Sequence, residues 1–468
     1  MKRLTLVLLS LLLVAVPALV WLLIYGRSIS PVSASAMTVV GEQKGCVGGG
    51  EVRRSADGFA GYGWSALANA PQAVAEAVSR ATGDMSGGSD ITMVFYSPQH
   101  KPEQIHELLR GGSHPVGRVF GMSTHEGILC ADGYHTSKTG VIGVLAMRLA
   151  AVTPGVGGAS FDEASPPEAA KLALRRAITD AGPLVSGKKP ALILLSVALP
   201  NEEQVLAALA EESGPGIPLI GGTAAGSIDQ ISRKKMSNWS MIANDRLIKN
   251  GLAVVVFYSS DDIAWSYGGG FRRTSTFGVI TKCQPRLILE IDGRPAVEVY
   301  DKWLGGRVTE AAKRGENVIN FCTLYPLCHI LGSHNQFIRI WPSDDPSAPG
   351  SLRTGAGVRE GDTVYLSEGD WNLLLNHFAT IPQKARDSKP NMRPMAGLFI
   401  YCGGAMECIP KDQRQQMAAL VGHSMNDFPW MGIFTWGEQG NVPGVGNVYS
   451  NLSSCTVLFP EPTNAPQP

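Results

Sequence analysis

The chain is 468 residues long, 44% hydrophobic and 17% charged, and its forty basic residues cancel forty acidic ones to a formal charge of +0. That length holds about two to four ordinary domains with real cores, which excludes a disordered chain. With no net field to draw it toward a polyanion, nucleic acid is not an expected partner.

Lys2 and Arg3 precede an uncharged apolar run from Leu4 to Tyr25, with Trp21 and Tyr25 placed as interfacial anchors. At about 1.5 Å per residue the run is long enough to cross a bilayer as a helix, and it exceeds the roughly 7 to 15 apolar residues of a signal peptide. Residues 1–29 therefore read as a single-pass membrane anchor. The alternative is a secreted body cleaved near Ala36, since Ala34-Ser35-Ala36 is a small-residue cleavage pattern. The charges before the run outweigh Arg27 behind it, which puts the body on the extracytoplasmic side. Residues 30–57, rich in Gly and Ser and without a period, read as a flexible linker, and 461–468 as a disordered tail.

The next segment is duplicated. Asp90 to Gly121 aligns without a gap on Pro190 to Gly221, and each reads as strand, turn, amphipathic helix, turn, strand. A proline-opened helix precedes each copy, from Pro71 and from Pro166, and an apolar run follows each, from Thr139 and from Asn250. The unit is α-β-α-β-loop-β, with halves at about 65–160 and 161–288.

Each copy ends in a Gly-x-(Ser/Thr) loop: FGMSTHEGI from Phe120 and IGGTAAGSI from Ile220. Such turns either serve packing alone or aim amides and hydroxyls off a sheet edge, where open α/β sheets bind ligands. The first loop supplies Ser123, Thr124, His125 and Glu126 as a polar wall. The second supplies Thr223, exposed amides and, at Ala225, room. One asymmetric pocket between them suits a small zwitterion such as an amino acid, with its carboxylate on amides and hydroxyls and its ammonium on Glu126.

His125 and Glu126 are adjacent, so in an extended chain they point to opposite sides and one of them faces solvent. His125 has three open readings: ligand clamp, acid/base group or axial haem ligand. His114 and His135, which flank it, read as exposed polar residues, and no metal motif is present. Catalysis is not expected. GMSTH lacks the closing glycine of a nucleophile elbow, and Cys130, five residues before His135, has no identifiable orienting third group. Phosphate-loop and dinucleotide fingerprints are both missing.

Eight cysteines include two Cys-x5-Cys pairs, Cys322/Cys328 and Cys402/Cys408, wider than structural zinc spacing and readable as disulfides or buried thiols. Beyond Leu289, FIRIWPSDD and REGDTVYLSEGDW suggest antiparallel strands, while GLFIYCGG and MGIFTWGEQG are strand-then-glycine units in the style of the first half. Glu438 and Asn451 follow the last of these as second site candidates, or as plain hairpin chemistry. The fold class is α+β: two modules of mixed β-sheets covered by helices, at 58–288 and 289–460.

The loop GMSTHEG, the second loop LIGGTAAG, LEIDGRPAVEVYDKWLG from Leu289 and FTWGEQGNVPG resemble the paired FIST domains, an N-terminal and a C-terminal module of sensory and signal-transduction proteins. In that family the Asp292-Gly293 turn with Pro295 opening a helix marks the handover between modules. The resemblance implies a small-ligand sensor that signals through an unidentified partner protein. No cofactor is expected, although some relatives are haem-containing nitric oxide sensors; a hydrolase-like enzyme and a ligand-free adaptor also stay open. One departure stands out: YCGGAMEC puts Ala405 where the family carries arginine, which removes any anion contact that arginine makes.

Overall fold

The two apolar hexamers ITMVFY and LILLSV form the strands Ile91–Tyr96 and Leu192–Val197, buried at every position. Strands covered on both faces carry continuous apolar runs instead of alternating ones, and parallel pairing demands that cover. Each hexamer indeed pairs in parallel with the strand that ends in the predicted loop, Tyr96 opposite Ser123 and Val197 opposite Thr223. The computed structural model describes residues 48–55, 58–83, 88–111, 116–226 and 238–462. The apolar run from Leu4, the cleavage pattern, Cys46, His114 and residues 463–468 lie outside them. Among the described residues no helix is long and apolar enough to cross a membrane.

The described residues hold ten α-helices and four sheets with parallel and antiparallel pairs, a mixed α+β fold. Three sheets share one strand order. In the first, Gly58–Ser65, Ile142–Leu149, Ile91–Tyr96 and Arg118–Ser123 lie side by side; in the second, Val152–Ser160, Gly251–Ser259, Leu192–Val197 and Leu219–Thr223. The third repeats the order with Ala264–Gly269, Ser453–Pro460, Pro394–Cys402 and Trp430–Thr435, in which Cys402 stands parallel to Thr435. A third copy of the duplicated unit thus exists in the C-terminal part, where the sequence showed only a likeness of style.

Each of these sheets is completed by a hairpin from another unit. The hairpin Gly127–Cys130/Gly133–Thr136, which leaves the first loop, adds to the third sheet through Ile128 opposite Ile433. Met241–Ala243/Arg246–Ile248 from the second unit adds to the first sheet, and Glu438–Val442/Gly446–Ser450 from the third unit adds to the second. The exchange is cyclic. Inner faces of all three sheets meet in one core around Phe95, Phe120, Leu194, Val255, Ile400 and Phe459. Helices cover the outer faces: Ala70–Thr82, Pro166–Ala181 and Trp371–Ser388. Gly63 and Gly157 occupy equivalent places, since a Cβ on either would stand 2.2 or 2.3 Å from a helical carbonyl, of Ala77 or Ala173. Glycine lets helix and strand approach to backbone contact.

The fourth, eight-stranded sheet is built from residues 272–368, inserted between the first strand and first helix of the third unit. REGDTVYLSEGDW contributes one strand, Thr363–Glu368, which pairs with Arg272–Gln284 and Leu327–Leu331, so it is no hairpin of its own. Asp292 and Gly293, at φ 52° and 72°, make the expected turn between Leu287–Ile291 and Arg294–Pro295, and the helix Ala296–Trp303 follows. One expectation is corrected. Eight residues of the linker, Gly48–Ser55, form an edge strand in full register with Gly58–Ser65. Its glycines give no period to read, yet they admit the Trp64, Glu76 and Arg80 side chains beneath the strand. The seven described cysteines are free thiols.

Candidate functional site

The two predicted loops touch. Ala225 N–H donates to Ser123 O at 3.1 Å, and Thr124, His125, Thr223 and Ala225 are all buried. The hydroxyls of the first loop serve the backbone: Ser123 Oγ accepts from Ser240 N–H at 3.1 Å, and Thr124 Oγ1 accepts from Phe434 N–H at 2.9 Å. Thr223 Oγ1 donates to Glu202 at 3.2 Å and accepts from the Gln439 amide at 3.3 Å. The hydroxyls lock three strand ends together, as the hairpin exchange requires.

Glu126 behaves differently. Its φ of 57° is left-handed, a conformation that costs a side-chain-bearing residue about 1 kcal/mol, and it turns His125 inward and Glu126 outward. His125 retains 1% of its side-chain exposure and Glu126 35%. His125 Nδ1 donates to Gly226 O at 2.9 Å, and Nε2 lies 3.0 Å from Glu407 Oε1. Arg414, 5% exposed, donates from Nε to Ile409 O at 3.0 Å, from Nη1 to Glu126 Oε2 and from Nη2 to Glu407 Oε2, both at 3.3 Å. Burial alone would raise Glu407, but the His125 hydrogen bond and the Arg414 charge outweigh it and hold the carboxyl at about 2. Tyr134 is pushed up to about 12, by burial first and then by Glu126.

Glu407 and Arg414 were not singled out in the sequence. They stand 282 and 288 residues from their partners on the first loop, and only the exchanged hairpin brings the two segments together. A partial signal lay in the two glycines of YCGGAMEC. A Cβ on Gly403 would meet the His125 ring at 3.0 Å, and one on Gly404 the Arg339 guanidinium at 3.0 Å. Ala405 is buried, and the cations at this turn come from Arg339 and Arg414.

Glu438 and Asn451 lie inside the protein. Glu438 is fully buried, accepts from Thr435 Oγ1 at 2.8 Å and Ser453 N–H at 3.1 Å, and burial pushes it up to about 8. Asn451 ties the inserted sheet to the hairpin Glu438–Val442/Gly446–Ser450: its Oδ1 accepts from Arg339 N–H at 3.2 Å and its Nδ2 donates to Gly355 O at 3.3 Å. Glu202, Arg286 and Tyr449 extend this buried network, with Arg286 Nη2 donating to Glu202 at 2.7 Å.

His125 does not fit an axial haem ligand as it stands, because both ring nitrogens are engaged and the ring is packed on Gly403. His125, Glu126 and Glu407 bring donor atoms within 4.8 Å of one another, yet Arg414 already neutralises both carboxylates, so a metal ion would have to displace it. A cleft of 550 Å³ opens elsewhere, beside Ala191, Pro218, Asp262, Trp265 and Lys389, and contains none of the predicted site residues. At the first loop a half-exposed carboxylate stands over a buried guanidinium whose other side is held by a second carboxylate.

Residues 90–294 match the FIST N domain and residues 296–441 the FIST C domain, in tandem. No curated protein matches the chain.

Proposed function

Since the chain belongs to the FIST family, whose domains are sensory, ligand-binding modules of signal transduction, we propose that it binds a small zwitterion such as an amino acid at Glu126 and Arg414. The observation that carries this reading is the Arg414 guanidinium, buried and fixed by Ile409 O and Glu407 and paired through Nη1 with the half-exposed Glu126. A ligand carboxylate would take the place of Glu126 on Arg414 Nη1, and the released Glu126 would receive the ammonium. Each charge-assisted bond contributes roughly 1.5 to 3 kcal/mol. This moves the site from the space between the loops to their rim, because Ser123, Thr124 and Ala225 are spent on backbone contacts and Thr223 on Glu202 and Gln439.

Glu126 opens directly into the hairpin that completes the third sheet, so a ligand that shifts it acts on the joint between units. We propose that a partner protein reads this change and that Leu4 to Tyr25 tethers the body outside the cytoplasm. Protease shaving of intact cells tests the tether, and a body protected until lysis contradicts it. For the site, calorimetric titration of an amino-acid panel is compared between wild type, Glu126→Gln and Arg414→Lys. Each change is expected to weaken binding at least tenfold, about 1.4 kcal/mol. A ligand whose affinity neither change alters places the site elsewhere.

A further inference from the structure

The hairpin that leaves the first loop carries a second cluster on its other face. Gly127–Cys130 and Gly133–Thr136 pair with Ile128 opposite His135 and Leu129 opposite Tyr134. Side chains alternate across a strand, so Cys130 and His135 share a face with Ile128, while Tyr134 points the other way. Asp132 occupies the turn between the strands. Cys130 Sγ, one Asp132 oxygen and His135 Nε2 lie within 4.8 Å of one another, with Sγ 2.9 Å and Nε2 3.8 Å from Oδ1.

We propose that Cys130, Asp132 and His135 form a zinc site that clamps the exchanged hairpin. Thiolate, imidazole and carboxylate are the donors that borderline Zn²⁺ takes, in the three-ligand arrangement that leaves a fourth position open. With Zn–S about 2.3 Å and Zn–N or Zn–O about 2.0 to 2.1 Å, tetrahedral neighbours stand about 3.3 to 3.6 Å apart. The observed 2.9 and 3.8 Å straddle that range, so closing on the ion needs shifts of about half an ångström. The Asp132 side chain is 39% exposed, so the cluster is reached from solvent on its side.

Four features fit a ligand set better than a plain turn. His135 Nε2 is a buried atom without a hydrogen-bond partner. Its ring is fixed by stacking on Trp64, centroids 3.6 Å apart and planes at 19°. Trp64 Nε1–H also donates to Asp132 Oδ2 at 2.9 Å, which turns Oδ1 toward Cys130 and His135 in the manner of an outer-sphere partner. Above them Gly49 has no side chain, and a Cβ there would strike Asp132 Oδ2 at 2.3 Å. On binding, the Cys130 S–H bond breaks, its proton passes to solvent, and the sulfur–carboxylate hydrogen bond gives way to bonds from both groups to the ion.

The test uses the full-length protein, stripped with chelator and titrated with Zn²⁺ or Co²⁺. One equivalent should bind, with a thiolate-to-cobalt charge-transfer band, and melting should shift upward. Cys130→Ser and His135→Gln should each weaken binding at least tenfold and lose the band, while His125→Gln should not. No uptake at micromolar metal, or a band that survives Cys130→Ser, overturns the site. X-ray absorption on zinc-loaded wild type serves if a variant does not fold: one sulfur with nitrogen and oxygen neighbours supports it, and none or several sulfurs overturn it.

Discussion

A methyl group on Gly403 would stand 3.0 Å from Cβ and Cδ2 of His125, tighter than an ordinary van der Waals contact. Relieving it moves the ring or the strand end and strains the bond from His125 to Glu407. Gly403→Ala should therefore destabilise the fold by about 1 to 3 kcal/mol despite alanine's better helix propensity. Denaturant melts read this, and in a cycle with His125→Ala the two costs should be far from additive. Independent effects would show that the contact is slack.

Glu407→Gln probes the charge network. Glu407 is depressed from its ordinary 4.5 to about 2, so its carboxylate contributes stability that is present above 4.5 and is lost as pH falls through about 2. At neutral pH the variant should be less stable by about 1 to 3 kcal/mol, and the gap should close in acid. A gap that stays constant between pH 5 and 2.5 contradicts the network.

Glu438 gives the opposite sign. Burial raises it from 4.5 to about 8, so below 4.5 it costs nothing, and between 4.5 and 8 the unfolded state gives up its proton while the native state keeps it. Stability from this group is lost as pH rises through that window and is level above it. Glu438→Gln, nearly isosteric, should flatten the stability–pH curve between about 4.5 and 8. Parallel curves would mean that Glu438 is solvated in the native state.

Arg286 reaches Glu202 across the boundary between the inserted sheet and the second unit. Glu202 is fully buried, and burial raises it even against the Arg286 charge. Arg286→Met leaves that carboxyl without its cation and should cost about 3 to 5 kcal/mol. Adding Glu202→Gln should recover part of the loss. No recovery would place the effect of Arg286 in its stacking on Tyr449 instead.

Local pattern was enough for the repeated unit. The helices from Ala70 and Pro166 and the strands Ile91–Tyr96, Arg118–Ser123, Leu192–Val197 and Leu219–Thr223 fall where the apolar periods and proline starts put them, whereas the two exchanged hairpins and the strand Val152–Ser160 were not read there; the Asp292-Gly293 turn forms because left-handed residues are needed there. Helix and strand periods are written within about ten residues, so one sequence displays them. The third unit was obscured because residues 272–368 separate its first strand from its first helix and break the constant spacing that exposed the first two.

What the tertiary structure decided was partnership. Nothing local specifies that the hairpin after Glu126 crosses to a strand near residue 432, since edge pairing is settled by which buried faces meet. That crossing sets Glu407 and Arg414 beside the first loop and assigns the hydroxyls of Ser123 and Thr124 to backbone contacts. The residue types of a site were visible in the chain; their neighbours depend on contacts hundreds of residues apart, whose free energy no local period records.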